Sequence, residues 1–270
     1  MSNLLLRIIT GIFGVSLIIA GIVFSSWTFA LIFLCIMILT LREFYGLIVA
    51  SGNTPFKIWG SFFSVCLFVL VHLSTAGKLD TKYLWLLPSL LVICFMFALY
   101  RQKTHQPIIS LGLTLFGVIY IAFPLSMANL IVFKNESYEY TLIIGVLIAQ
   151  WANDSGAYFV GKSMGRTKLF ESVSPNKTWE GTVGGVLISL GIIYIWSLYF
   201  TDLTTIEWFG LSIIVSVFGS YGDLIESLFK RHLAIKDSGS ALPGHGGFLD
   251  RFDGLLFALP FVTLYLMVIT

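Results

Sequence analysis

The amino-acid sequence predicts an all-α fold, a polytopic integral membrane helical bundle of about nine transmembrane helices, on three observations. Of 270 residues, 57% are hydrophobic and only 11% charged, and the mean hydropathy is +0.92, a composition foreign to soluble globular domains. The apolar residues fall in uncharged runs of the length that crosses a bilayer, about 20 residues for a hydrocarbon core of about 30 Å. Lys and Arg are segregated to one side of those runs, as in proteins that follow the positive-inside rule. The runs are continuous rather than alternating, which excludes a transmembrane β-barrel.

Taken in order, residues 8–41 form an uncharged run of 34 residues, too long for one span at about 1.5 Å per residue. Ser25, Ser26 and Trp27 interrupt it, so a tight helical hairpin is expected there. Further spans are expected at 58–77, 83–100, 108–133, 140–160, 181–201, 208–225 and 254–270. The first segment carries one Arg7, a long apolar run and no small-residue cleavage site, and reads as a retained span rather than a signal peptide. Cys35, Cys66 and Cys94 sit far apart inside apolar runs, where free cysteine behaves as a small hydrophobe. Glycines within spans, such as Gly11, Gly14, Gly181, Gly184 and Gly185, suit close helix packing.

The sixteen Lys and Arg residues fix an orientation. Arg7, Arg42, Lys57, Arg101, Lys103, Lys162, Arg166, Lys168, Lys177, Lys230, Arg231, Lys236 and Arg251 fall on one side, and Lys78, Lys82 and Lys134 on the other. The larger set is expected in the cytoplasm, with the N-terminus cytoplasmic and the C-terminus external. The formal net charge of +2 is too small and too dispersed for a nucleic-acid binder. No internal repeat or low-complexity stretch stands out.

Charged groups within or bordering spans are expensive and therefore point to function. Residues 1–139 hold almost nothing polar within their spans and read as packing helices. Residues 140–270 hold Gln150, Asn153 and Asp154 in one span, Asp223 and Glu226 at the end of another, and Asp250 and Asp253 at the start of the last, and read as the catalytic region. Helix positions three, four and seven apart share a face, which groups Asp223, Glu226 and Lys230, Gln150 with Asp154, and Asp250 with Asp253. Ordinary explanations exist for some: Glu226 with Lys230 as an i,i+4 pair, Asp250 as an N-cap, Asp253 as a partner of the helix dipole. Capping does not account for Asp154, Asp223 and Asp250 together at membrane depth.

Two basic loops run between these acids, 162–177 and 230–251. Carboxylates that hold Mg²⁺ beside Lys and Arg that neutralise phosphate oxygens are what a metal-bound polyphosphate requires. A loop resting on anionic headgroups predicts scattered Lys and Arg, but not the run Pro243, Gly244, His245, Gly246, Gly247. Gly156, Gly161, Lys162 and Ser163 satisfy the spacing of a P-loop, yet that motif needs a strand before it in a soluble α/β domain. It is read here as coincidental. The sequons at Asn135 and Asn176 fall on opposite expected sides, and neither is used.

Within 227–253, Ser227, Lys230, Arg231, Lys236, Asp237, Gly239, Leu242, Pro243, His245, Gly246, Gly247, Asp250, Arg251 and Asp253 make a pattern that resembles the signature of phosphatidate cytidylyltransferases, the CDP-diacylglycerol synthases. Asp154, Gly156, Ala157, Tyr158 and Phe159, and the stretch from Ser174 through Lys177 to Gly181, resemble further motif regions of that family. The similarity runs from about Gln150 to Asp253. The resemblance implies transfer of CMP from CTP to phosphatidic acid at the cytoplasmic face, giving CDP-diacylglycerol and pyrophosphate, in the cytoplasmic membrane of a bacterium. It also implies Mg²⁺, with a second divalent or monovalent cation beside it. On this basis Asp223 and Asp250 are expected to hold the metal, with Lys230 beside them as a catalytic group. Lys177, Arg231, Lys236, His245 and Arg251 are expected to contact substrate, and Asp154 to support a basic residue or the metal. A homodimer through the first half is a family-level expectation.

Two alternatives remain open on sequence. A CTP-dependent polyprenol or phytol kinase is the nearer one, and the full signature weighs against it. A cation-coupled secondary transporter requires carboxylates near the bilayer midplane and a pseudo-repeat, whereas these acids cluster at expected cytoplasmic ends.

Overall fold

The computed structural model describes residues 3–100, 106–134, 136–233, 235, 239 and 246–269. The chain divides into two compact units, residues 1–138 with 237–249, and residues 139–236 with 250–270.

The first unit opens with α1 (Asn3–Phe24) and α2 (Ser26–Ala50), the hairpin expected at Ser25. Ser25 caps α2 in a capping box with Thr28, and the Thr28 hydroxyl also donates to the Gly21 carbonyl at 2.7 Å. Backbone groups freed by the chain reversal are thus satisfied. α2 continues nine residues past Leu41, through Arg42 and Glu43, to Ala50. The chain proceeds through α3 (Lys57–Thr75), a 3₁₀ turn at Thr81–Trp85, α4 (Leu86–Tyr100), α5 (Pro107–Gly117) and α6 (Phe123–Val132). α5 and α6 form one continuous rod, Pro107–Val132, joined by a π-turn at Val118–Ala122. Pro124 follows one residue later, and its missing N–H and bulky ring are incompatible with a regular α-ladder at that point. A two-residue antiparallel ribbon, β1 (Phe133–Lys134) with β2 (Ser137–Tyr138), ends the run. Tyr45 is fully buried, and its hydroxyl donates to the Thr114 carbonyl at 2.8 Å. Its ring lies so close to Gly60 and Gly117 that a Cβ at either would overlap it.

The second unit comprises α7 (Thr141–Met164), a hairpin of β3 (Lys168–Phe170) and β4 (Ser174–Thr178), α8 (Trp179–Ser197), α9 (Thr205–His232) and α10 (Leu249–Ile269). α7 and α8 meet along glycines: a Cβ at Gly185 would strike Asn153, and one at Gly181 would strike the Ala157 carbonyl. Thr204 and Glu207 form a capping box at the start of α9, and Tyr265 of α10 donates to the Glu207 carbonyl at 3.0 Å. Phe218 and Phe261 stack between α9 and α10.

The chain is a polytopic helical membrane protein. Among the described residues, seven helices are long and apolar enough to cross a membrane, and α1 adds a shorter apolar stretch, Ile9–Phe24. α7 is long enough at 24 residues, but Gln150, Asn153, Asp154 and Lys162 make it more polar than the others. The P-loop-like residues 156–163 lie inside α7, so their N–H groups are spent on the helix and form no phosphate cradle.

Candidate functional site

All the polar features that follow belong to the second unit. One wall is the polar face of α7, where the Gln150 Nε2 donates to both oxygens of Asp154 at 3.0 and 3.2 Å. This is the i,i+4 pairing that the spacing predicts. Residues 168–178 form a hairpin, not the open loop expected from sequence, and it carries Lys177 on β4. Three contacts brace the hairpin. Glu180 accepts the N–H groups of Arg166 and Thr167 and the Thr167 hydroxyl. The Lys168 ammonium donates to the Pro175 carbonyl at 2.6 Å. The Arg231 Nε donates across the turn to the Val173 carbonyl at 3.3 Å.

So braced, Lys177 reaches α9 and donates to the Asp223 Oδ2 at 2.7 Å. Around this ion pair opens a cavity of about 520 Å³ whose lining includes Asn153, Asp154, Lys162, Lys168, Asn176, Lys177, Ser220 and Asp223. Lysines from α7, β3 and β4 and aspartates from α7 and α9 thus face one space. Asp154 is within electrostatic range of both Lys177 and Asp223.

A second ionic group lies along α9 and the first turn of α10. The Lys230 ammonium sits 2.6 Å from the Glu226 Oε2 and 2.8 Å from the Asp250 Oδ1. Its own side chain is 14% exposed and those of Glu226 and Asp250 are 3% and 12% exposed. Glu226 and Asp250 share the Lys230 ammonium, and Asp253 is within electrostatic range of both Asp223 and Glu226. The acids therefore form a chain from Asp223 through Asp253 and Glu226 to Asp250. Carboxylates this close repel unless a cation or a shared proton lies with them.

The structure corrects a further sequence expectation. Lys230 and Arg231 lie in the last turn of α9 rather than in a loop, because the helix runs seven residues beyond Ile225. Asp250 is the second residue of α10, which sets aside the ordinary explanation of it as an N-cap. Of the site residues read from sequence, Asp154, Lys177 and Asp223 line the cavity, while Lys230 and Asp250 form the adjoining ion triad. Arg231 and Arg251 are exposed and are not among the cavity-lining residues. Lys236 and His245 lie outside the described residues. Sequence reasoning placed Glu226 and Asp253 in the catalytic region without assigning either a role, and gave no site role to Lys168 or Asn176. The first two carried a usable signal, the three-residue spacing of Glu226 from Asp223 and of Asp253 from Asp250. The last two become site residues only through the hairpin.

Among the described residues, no group of three or more His, Cys, Asp or Glu side chains forms a ready-made metal cluster. The donor set is nevertheless the one a hard cation takes, carboxylate and amide oxygens. Buried oxygens of Gln150, Asn153 and Glu226, namely Oε1, Oδ1 and Oε1, lack a hydrogen-bond partner, a costly condition that a cation or water would relieve.

A sequence model described as the cytidylyltransferase family matches residues 5–269. The chain belongs to that family. It is 47% identical over 136 residues to a phosphatidate cytidylyltransferase of Staphylococcus aureus (strain COL), covering 50% of this chain and 51% of that protein. It is 48% identical over 128 residues to the one of Bacillus subtilis (strain 168), covering 47% and 48%. With that of Staphylococcus haemolyticus it shares 36% identity over 212 residues, 77% of this chain and 79% of the relative. The chain thus spans about half the length of the first two relatives in these matches and more than three quarters of the third. The cytidylyltransferase family membership agrees with the resemblance read from 150–253 and extends it to both units.

Proposed function

We propose that the chain transfers CMP from CTP to phosphatidic acid, releasing pyrophosphate and CDP-diacylglycerol, at the cytoplasmic face of a bacterial inner membrane. The observation that carries the reading is the cavity in which Lys162, Lys168 and Lys177 face Asp154 and Asp223, within a chain similar to proteins named phosphatidate cytidylyltransferase.

An oxygen of the phosphatidate monoester forms the new bond to the α-phosphorus of CTP, and the bond to the β-phosphate breaks. Such a transfer needs alignment and charge neutralisation more than covalent help. Lys162, Lys168 and Lys177 supply ammonium donors for phosphate oxygens, and Asn176 and Asn153 supply uncharged hydrogen-bonding groups. Lys177 also fixes the Asp223 carboxylate, and Lys230 fixes that of Asp250, so both acids are held in defined rotamers. Asp223 and Asp250, with Glu226 and Asp253 beside them, are the residues that would hold Mg²⁺ and a second cation. When bound, the metal would neutralise the phosphate oxygens and the leaving pyrophosphate. A phosphate monoester is mostly ionised at pH 7, its second pKa being about 6, so the reaction requires no dedicated base, and a phosphate-binding role suits His245 better.

The test uses protein purified in detergent with labelled CTP, Mg²⁺ and phosphatidic acid. Label is expected in the lipid phase, with equimolar pyrophosphate, from the wild type and not from Asp223→Asn. More than a tenth of the activity retained in Asp223→Asn would remove Asp223 from the site. No label from folded wild type would overturn the functional reading, and polyprenol acceptors would be tried next.

A further inference from the structure

α2 carries only two charged residues, Arg42 and Glu43, and an acid in an apolar helix needs a reason. The half-buried Glu43 has one within its own unit. Its Oε2 accepts the backbone N–H of Leu249 at 3.1 Å. Its Oε1 lies against the backbone of Gly239, so closely that a Cβ there would overlap it. One carboxylate therefore meets both Gly239 and Leu249, which belong to the same compact unit as α2. Leu249 is fully buried and is the first residue of α10; the second is Asp250. The N–H groups that open a helix have no partner within it, and a carboxylate there satisfies one of them and meets the positive end of the dipole.

We propose that Glu43 is a positioning residue for the CMP transfer, acting through Leu249 and Gly239: it anchors the segment that precedes Asp250 and so sets where α10 begins. The assignment rests on the transferase reading. It gives α2, in the half that reads as packing, a part in the reaction without contact with substrate.

The test combines amide exchange in peptides spanning 246–250 with steady-state kinetics for CTP and phosphatidate. Glu43→Ala is expected to speed exchange there about tenfold, the change from losing one charge-assisted hydrogen bond. It should lower kcat about tenfold and leave KM for CTP within twofold. Glu43→Gln keeps an acceptor oxygen and should recover most of kcat. Gly239→Ala leaves Glu43 in place but puts a methyl group where its carboxylate lies, and should reproduce both defects even if Glu43→Ala does not fold. Unchanged exchange in folded Glu43→Ala or Gly239→Ala would overturn the anchor. Faster exchange with unchanged kcat would reduce Glu43 to a structural role and overturn the positioning. If the wild type transfers no CMP, the positioning role falls with the functional reading, while the exchange data still decide the anchor.

Discussion

Buried polar side chains do different work in the two units. In residues 1–138 they turn mostly to backbone or to one neutral neighbour: Thr40 donates to the Ile36 carbonyl, Ser64 to Gly60, Tyr45 to Thr114, and His72 pairs with Asn129. In the unit of α7 to α10, Asp223, Glu226, Asp250 and Asp253 face one another with Lys177 and Lys230 among them. Hydrogen bonds of the first kind let a helix carry a hydroxyl through hydrocarbon at little cost. Ion groups of the second kind are stabilised poorly, since desolvation offsets much of their attraction, and a fold retains them where chemistry needs charge. The difference separates a region built for packing from one built around charge, and it can be tested one side chain at a time.

The largest effect on folding is expected at Lys230. Replacing it by Met keeps the length of the side chain but leaves Glu226 and Asp250 together without their cation. Breaking a buried ion group by removing one member costs about 3 to 5 kcal/mol, so Lys230→Met should lose about 3 kcal/mol in denaturant unfolding in micelles, along with nearly all turnover. Adding Glu226→Gln removes one of the stranded carboxylates and should restore at least half of the lost stability, though not the turnover. A Lys230→Met protein as stable as the wild type would mean that the triad is not a buried ionic unit, and the contrast between the two regions would fail.

A middle-sized effect is expected in the first unit. His72 is 3% exposed, and its Nδ1 lies 2.9 Å from the Asn129 Oδ1, while the Asn129 amide donates to the Ser126 carbonyl at 3.0 Å. His72→Leu strands the Asn129 oxygen and should cost about 1 to 2 kcal/mol, the penalty of one unsatisfied buried group. Removing both partners should cost less than the sum of the single changes, because an apolar pair leaves nothing unpaired. Turnover per folded molecule should stay within twofold in every member of the cycle. A drop in kcat without a drop in stability would show that this region does more than pack.

How far these features could be read from sequence depends on the range of the interaction that makes them. The helical framework was legible because hydrophobic run length is a local property: the break at Ser25 and the spans that became α3, α4, α8 and α9 follow from it directly. Helix ends were less so. α2 runs on through Arg42 and Glu43, and α9 through Lys230 and Arg231, because a helix can leave hydrocarbon without ending, and charge marks only the first event. Pairs on one helix face, such as Gln150 with Asp154 or Glu226 with Lys230, were legible for the same local reason. The pairing of Lys177 with Asp223 spans 46 residues and depends on a hairpin whose polar sequence carries little strand signal. The Glu43 contact with Leu249 spans 206 residues and leaves no periodic trace at all.

The smallest effect is expected at Asp80, an exposed charge of the first unit outside the spans. Its carboxylate caps the 3₁₀ turn by accepting the Lys82 N–H at 2.9 Å, and the Lys82 ammonium lies 3.1 Å away. These two contacts, the N–H first, hold its pKa below the ordinary value of 3.8. A carboxylate with a depressed folded pKa stabilises the fold at pH values above its unfolded pKa, and that contribution is lost as pH falls through the folded value. Asp80→Asn should therefore melt slightly below the wild type at pH 7, and the gap should begin to narrow as pH falls below about 3.8 and close only once pH has passed below the depressed folded value, where both side chains are neutral. Salt should narrow it as well, since exposed pairs are screened. Turnover at pH 7 should not change, because this charge ends in a turn and a neighbouring lysine. A gap that persisted in acid would mean that Asp80 acts as a neutral cap alone. A fall in kcat would place a charge of the packing half in the chemistry, and with Glu43 it would make two.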